Sequence, residues 1–73
     1  MIVISQDKKR IYNFDNIKLI EVLNNDIFII DDILADEGPF LGTYESEERA
    51  EEILRDIVHW YDMEAKVYRM PEE

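Results

Sequence analysis

The side chains with the chemistry for nucleophilic catalysis are few: His59, Ser5, Ser46 and Thr43. A serine nucleophile needs a histidine base within hydrogen-bond reach and a third group, here Asp56 or Asp62, to orient that base. Ser46 precedes His59 by thirteen residues, which is roughly 20 Å along a helix, so these two side chains cannot pair. His59 falls on the solvent side of the predicted helix, where it has no cleft, and Ser5 offers no motif. We therefore predict no catalytic residue, and a protein that is not an enzyme.

Four acids in the run DDILADEG have the oxygen ligands that Ca²⁺ and Mg²⁺ prefer: Asp31, Asp32, Asp36 and Glu37. Their order lacks the alternating ligand spacing of a calcium loop. The run is better interpreted as a solvated turn ahead of Gly38 and Pro39, and no metal site is predicted. The segment GTYES lacks the lysine of a phosphate loop, and no motif indicates a cofactor.

The charge of the chain is large and one-sided. Its 73 residues, which we interpret as a single domain over 1–73, have a formal net charge of -10. Residues 1–30 contain four acids and four bases, so the whole excess lies in residues 31–73. This charge opposes direct binding to nucleic acid or anionic membrane and permits a basic protein as partner. The chain has no cysteine and no apolar run near the ~20 residues of a membrane span, so we expect a soluble, cytoplasmic protein.

The element with the clearest pattern is a helix over about 47–62. Ser46 is placed to cap it, since a serine hydroxyl accepts hydrogen bonds from free N–H groups of the first turn. An apolar stripe recurs at helical spacing, and acids occupy the opposite arc. The stripe consists of Ala50, Ile53, Leu54, Ile57, Val58 and Tyr61, and the outer arc includes Glu48, Glu51, Glu52, Arg55, Asp56, His59 and Asp62.

The acids of this helix permit two interpretations. Glu51 and Arg55 are spaced for an attractive i, i+4 pair, whereas Glu52 has like-charged neighbours at i-4 and i+4, Glu48 and Asp56. A face selected for stability alone would alternate its signs better. The outer arc is thus either an ordinary solvated surface or a surface that binds a basic partner.

The rest of the chain favours short strands. Residues 2–5 and 10–14 flank a polar turn, and residues 17–23 and 27–30 flank Asn24-Asn25-Asp26, which indicates two hairpins. Residues 40–44 form another run, and 63–70 permit either a short strand or a helical continuation. The predicted fold class is α+β: a small antiparallel β-meander with one amphipathic helix packed on it and a C-terminal strand as an option. A core this small predicts a homodimer or larger assembly.

The stretches MIVISQDKKRIYNFDNI, LGTYESEERAEEIL and YRMPEE resemble a group of small uncharacterised proteins of phages and prophages of Gram-positive bacteria. The shared pattern is an I-[VI]-S-Q-[DN] start, an LGxYxSEERA helix start and an MP tail. It marks turns and caps, and implies no active site. What the resemblance implies is a mobile-element setting, in which small acidic proteins often inhibit host defence systems by binding them.

These observations predict a non-enzymatic, phage-type accessory protein that binds and inhibits a host protein, such as a basic nuclease or defence effector. The partner-binding residues would be the acids that imitate nucleic-acid phosphates: Glu48, Glu51, Glu52, Asp56, Asp31, Asp32, Asp36 and Glu37. The alternative is an oligomeric sponge that sequesters a nucleotide immune signal. A sponge would need bases, and these cluster only at Lys8, Lys9, Arg10 and Lys18.

Overall fold

The computed structural model of this protein describes residues 1–17, 19–30 and 40–73. Within these ranges the chain forms strands and a single α-helix, with a 3-10 turn at Phe14–Asn16. The predicted α+β class is confirmed. The elements in chain order are β1 (Ile2–Ile4), β2 (Ile11–Asn13), β3 (Leu19–Leu23), β4 (Asp26–Ile30), β5 (Phe40–Thr43), α1 (Glu47–Asp62) and β6 (Val67–Arg69).

The first sheet has the order β2-β1-β6. β1 pairs antiparallel with β2, as the polar turn between them predicts, and parallel with β6. Because residues 67–69 pair with β1, they are a strand, and a helical continuation through them is excluded. The buried Ser5 stabilises the turn between β1 and β2, because its hydroxyl donates to Asp7 Oδ1 at 2.6 Å and accepts from the Arg10 amide at 3.2 Å.

The second sheet has the order β3-β4-β5 and is antiparallel throughout. β3 and β4 form the hairpin predicted around Asn24, with Leu23 opposite Asp26. Asn24 has a φ of 57°, in the left-handed region that asparagine tolerates better than most residues. The register shifts between Ile27 and Phe28 where β4 meets β5, which marks a bulge.

The sequence predicted a meander, and the structure divides its strands between two sheets. In the described ranges one backbone hydrogen bond joins them, and a second closes the end of the second sheet. Gln6 N–H donates to Leu41 O at 2.8 Å, and Tyr44 N–H donates to Asn25 O at 2.9 Å. Both bonds link residues distant in sequence, so local periodicity contains no sign of them.

The core lies between α1 and the sheets. Ala50, Ile53 and Ile57 of the predicted stripe are buried, but Val58 and Tyr61 are 60% and 47% exposed. At about 100° per residue, Val58 lies at one edge of the stripe, about 80° around the helix from Ala50. Tyr61, in the last turn of α1, packs on Phe14 with 4.9 Å between ring centroids and is otherwise exposed. The most deeply buried large side chains are Val3, Ile27, Ile29, Leu41, Ile53 and Ile57.

Both ends of α1 are defined by hydrogen bonds. The predicted bounds and cap are confirmed, since the helix is Glu47–Asp62 and Ser46 Oγ accepts from the Arg49 amide at 3.1 Å. At the other end, the Ala65 amide donates to Trp60 O and the Glu64 amide to Tyr61 O, each at 3.0 Å. These two bonds form a Schellman motif. Glu64 occupies its left-handed position with a φ of 61°, where glycine is usual.

Candidate protein-binding surface

Three of the predicted partner-binding acids lie together on the outer face of α1. Glu48, Glu51 and Glu52 are all exposed. They surround an open depression of about 390 Å³ near the start of the helix. The remaining residues that line it are Glu45, Ser46, Arg49 and Arg55. We call Glu48, Glu51 and Glu52 the outer acidic face.

The ion pairing on this face differs from the sequence prediction. Arg49 Nη1 lies 3.5 Å from Glu52 Oε1, an i, i+3 pair. The Arg49 guanidinium also donates to the Glu73 carbonyl oxygen at 3.0 and 2.8 Å. The predicted Glu51–Arg55 pair is wrong, because in the described ranges the salt bridges of α1 comprise only the Arg49–Glu52 pair. Within the described ranges, Glu48 and Glu51 of the outer acidic face therefore have no salt bridge and can meet a partner.

The fourth predicted helix acid, Asp56, has a role in the fold. The Tyr68 hydroxyl of β6 donates to Asp56 Oδ2 at 2.7 Å. Burial of the Tyr68 ring, together with this hydrogen bond, raises the pKa of the phenol. Asp56 is exposed and continues the row of Glu48 and Glu52 toward the C-terminal end of the helix, but its carboxylate is engaged by the first sheet. Periodicity predicts the position of Asp56 on the outer arc and does not predict its contact with Tyr68.

The other predicted acids, Asp31, Asp32, Asp36 and Glu37, lie outside the described residues. Their grouping with the outer acidic face stays a prediction. In the part of the chain that the structure describes, no three His, Asp or Glu side chains gather in a way that could hold a metal ion.

The candidate catalytic side chains are dispersed. Ser5 is 3% exposed and engaged by Asp7 and Arg10, and Ser46 caps α1. His59 is exposed, with its ring edge-on to that of Trp60 at 5.2 Å between centroids. The hydrogen bonds of these two serines therefore serve the turn and the helix cap.

The basic cluster that a nucleotide sponge would use is partly engaged by the fold. Lys8 Nζ lies 2.9 Å from Glu72 Oε1. Arg10 Nη1 donates to the Tyr12 hydroxyl at 3.4 Å. Lys18 lies outside the described residues. The sponge consequently stays a prediction with no specific observation in its favour.

One surface was not predicted from the sequence: a groove at the C-terminal end of α1. It has a volume of about 550 Å³. It lies where the end of α1 meets the residues that lead into β1 and β6. β1 is distant in sequence from α1 and β6, so periodicity does not predict the groove. The lining residues are Met1, Val58, Tyr61, Asp62, Glu64, Ala65 and Lys66.

No protein-family profile, curated protein or solved structure matches this chain. The resemblance to small phage proteins therefore stays a prediction. Over the described ranges, none of the helical structure is long and apolar enough to cross a membrane.

Proposed function

We propose that this chain is a non-enzymatic accessory protein that binds a basic surface of another protein through the outer acidic face of α1. The observation that supports it is the exposure of Glu48 and Glu51 on a capped helix, with no salt bridge to either in the described ranges. An array of carboxylates on a rigid helix offers a basic groove the charge pattern it normally meets on nucleic-acid phosphates.

The biological setting of the proposal comes from the resemblance to phage and prophage proteins. The partner is a protein of the host cytoplasm, such as a basic nuclease or defence effector, and binding inhibits it. Because the protein itself is acidic, it competes with nucleic acid for the partner and does not bind nucleic acid.

The experiment is affinity capture from a Gram-positive host lysate with three baits: the wild type, Glu48→Lys with Glu51→Lys, and the control Glu72→Lys. Glu72 is exposed near the C-terminus, where its carboxylate contacts Lys8 Nζ at 2.9 Å, so its reversal changes the charge but leaves α1 and the second sheet intact. We expect one basic protein to be enriched by the wild type and the control and lost with the helix variant. Salt weakens the retained complex, because the Debye length is about 8 Å at physiological ionic strength.

Binding kinetics with the purified partner then give the association and dissociation rate constants separately. Reversal of Glu48 and Glu51 should lower the association rate constant far more than it raises the dissociation rate constant, because surface charges act mainly on encounter. Equal capture of the same protein by all three baits would contradict the proposal and leave α1 as ordinary solvated surface.

The proposal includes a homodimer or larger assembly, formed through the face of the second sheet that α1 leaves open. Leu19, Leu23 and Phe40 are each about half exposed, at 48%, 54% and 52%. The Phe40 ring packs on that of Phe28 with 4.7 Å between centroids. A second copy is the proposed occupant because a core this small leaves apolar surface that association can cover.

Light scattering at high micromolar concentration tests the assembly. We expect more than one copy per particle for the wild type, and a shift toward monomer for Leu23→Ser with Phe40→Ser. Ile11→Ser is the control, since Ile11 is 65% exposed on the other sheet. A monomeric wild type would reject the assembly without bearing on the outer acidic face.

A further inference from the structure

The groove at the C-terminal end of α1 combines an apolar wall with a rim of two acids and one base. Val58, Tyr61 and Ala65 contribute apolar surface, and Asp62 and Glu64 are exposed at its edge. Lys66 also lines the groove, so the charged side chains of the rim have one negative charge in excess. The Tyr61 ring rests on Phe14 with 4.9 Å between centroids. Its hydroxyl donates to Asp15 Oδ1 at 3.3 Å. One side of the Tyr61 ring is thus packed on Phe14, while nearly half of the side chain stays exposed.

The charge at this helix end is arranged against the usual rule. The C-terminal end of a helix carries a partial negative charge and favours cations. Here the helix closes with Asp62, and Glu64 follows in the left-handed position of the Schellman motif. Both carboxylates add negative charge to a negative pole. Sites that break local rules in this way are where binding functions are expected, because a ligand can supply the missing charge.

We infer that the groove binds an arginine side chain of a basic partner protein. The apolar stem of the arginine would lie against Val58 and Ala65, as the methylene groups of long cationic side chains do on apolar surface. Its guanidinium would stack on the exposed Tyr61 ring and meet the carboxylates of Asp62 and Glu64. Arginine fits this combination better than lysine, because its planar head both stacks on a ring and forms paired hydrogen bonds with a carboxylate.

This inference rests on the proposed function, since both require a basic partner, but it assigns recognition to a different part of α1. The outer acidic face supplies long-range attraction near the start of the helix. The groove supplies a short-range anchor at the end of it. Interfaces with an aromatic anchor inside a charged rim concentrate binding energy at the anchor.

The test uses two capped tripeptides, glycine-arginine-glycine and the same peptide with citrulline, which has the shape of arginine without its charge. Each is titrated at low salt into isotope-labelled protein, and amide shifts are followed by NMR. We expect saturable shifts at Val58, Tyr61 and Ala65 with the arginine peptide and none with the citrulline peptide. Asp62→Asn should weaken binding about two- to fivefold, the range of one exposed ion pair.

Two variants make the result specific. Glu48→Gln removes the same charge from the outer acidic face and should leave the arginine affinity unchanged within about twofold. Tyr61→Leu keeps an apolar side chain but removes the stacking surface, and should weaken arginine binding about two- to fivefold. Circular dichroism of both variants verifies that α1 is intact.

The outcomes separate the two proposals. Shifts confined to the outer acidic face, or equal responses to Asp62→Asn and Glu48→Gln, overturn the groove and leave the proposed function standing. If the arginine peptide shifts the groove amides and partner capture is unchanged by Glu48→Lys with Glu51→Lys, the groove is supported. The outer acidic face is then excluded as the binding surface. An absence of shifts anywhere overturns the groove whatever the capture experiment finds.

Discussion

Polar side chains at the junction of the two sheets are engaged in the fold, whereas those of the outer acidic face project from α1. At the junction, Gln6 Nε2 donates to the carbonyls of Thr43 and Glu72, and its Oε1 accepts from the Thr43 amide, each at 2.8 Å. Asn25 Nδ2 donates to Tyr44 O at 2.6 Å, and the Tyr44 hydroxyl donates to Pro71 O at 2.7 Å.

The difference separates residues that specify the fold from residues available for binding. Among the described residues, no buried side-chain nitrogen or oxygen lacks a hydrogen-bond partner. A substitution at the junction removes one member of a satisfied pair, which costs the desolvation of the other. Glu48 and Glu51 are exposed, so substituting them leaves no buried partner without a hydrogen bond. The predictions below use stability to test this contrast, from the largest expected effect to the smallest.

The largest effect is expected for Gly42→Ala in β5. A Cβ at this position would lie 2.8 Å from Tyr44 Oη, 2.9 Å from Tyr44 Cε2 and 3.1 Å from Gln6 Cβ. The Tyr44 ring would have to move and release Pro71. We expect the free energy of unfolding to fall by about 2–4 kcal/mol, the sum of overpacking and a lost buried hydrogen bond.

Urea denaturation measures that change, and the double variant Gly42→Ala with Tyr44→Phe is the control. Phenylalanine lacks Oη, so part of the clash disappears and the two substitutions should cost less together than the sum of their separate effects. A midpoint within experimental error of the wild type for Gly42→Ala would show that the junction is loosely packed.

The next effect concerns the contact of Tyr68 with Asp56. Hydrogen bonds to charged groups contribute about 1.5–3 kcal/mol, so Tyr68→Phe should lower stability by about 2 kcal/mol. A double-mutant cycle with Asp56→Ala isolates the pair. We expect a coupling above 1 kcal/mol, whereas Glu48→Ala with Tyr68→Phe should be additive. Additivity for both pairs would return Asp56 to the group of free surface acids.

The sequence predicts the local features of this structure better than the contacts between distant residues, such as that of Tyr68 with Asp56. The Ser46 cap, the bounds of α1 and the Asn24 hairpin follow from signals a few residues apart, and each is confirmed. The separation into two sheets, the parallel β1–β6 pairing and the hydrogen bond from Tyr44 to Pro71 depend on residues distant in sequence, so local periodicity does not predict them. For the same reason, periodicity placed Glu48 on the outer acidic face but could not show that Tyr68 engages Asp56.

Alkaline pH should unfold the protein through its buried phenols. Burial raises the pKa of Tyr44 to about 12 from its ordinary value of 10.0, and it also raises the pKa of Tyr68. The folded state therefore retains protons that the unfolded state releases above pH 10. Stability should be full below pH 10 and fall as pH rises toward 12.

Equilibrium unfolding at several pH values measures this loss of stability between pH 10 and pH 12. Tyr44→Phe should be less stable than wild type at pH 8 but lose less stability between pH 10 and pH 12. Parallel curves for wild type and Tyr44→Phe would exclude this tyrosine as the source of alkaline sensitivity.

A smaller effect is expected at the start of α1. Ser46→Ala removes the oxygen that accepts from the Arg49 amide and should lower stability by about 1 kcal/mol. Ser46→Asp keeps an acceptor and should restore most of the loss. If the denaturation midpoints of all three proteins coincide, the cap does not limit the stability of the helix.

The smallest effect on stability is expected where the effect on binding is largest, at Glu48→Lys with Glu51→Lys. The lysine at 48 gives up a favourable position in the first helical turn, worth about 0.3–1 kcal/mol. It also replaces repulsion from Glu52 with attraction, and the lysine at 51 gains Glu47 at i-4 while meeting Arg55 at i+4; such pairs contribute about 0.2–0.5 kcal/mol each. These contributions nearly cancel, so the free energy of unfolding should stay within about 0.5 kcal/mol of wild type. A larger loss in urea denaturation would mean that the outer acidic face supports the fold as the junction does, and reduced partner capture by this variant would then report unfolding instead of recognition.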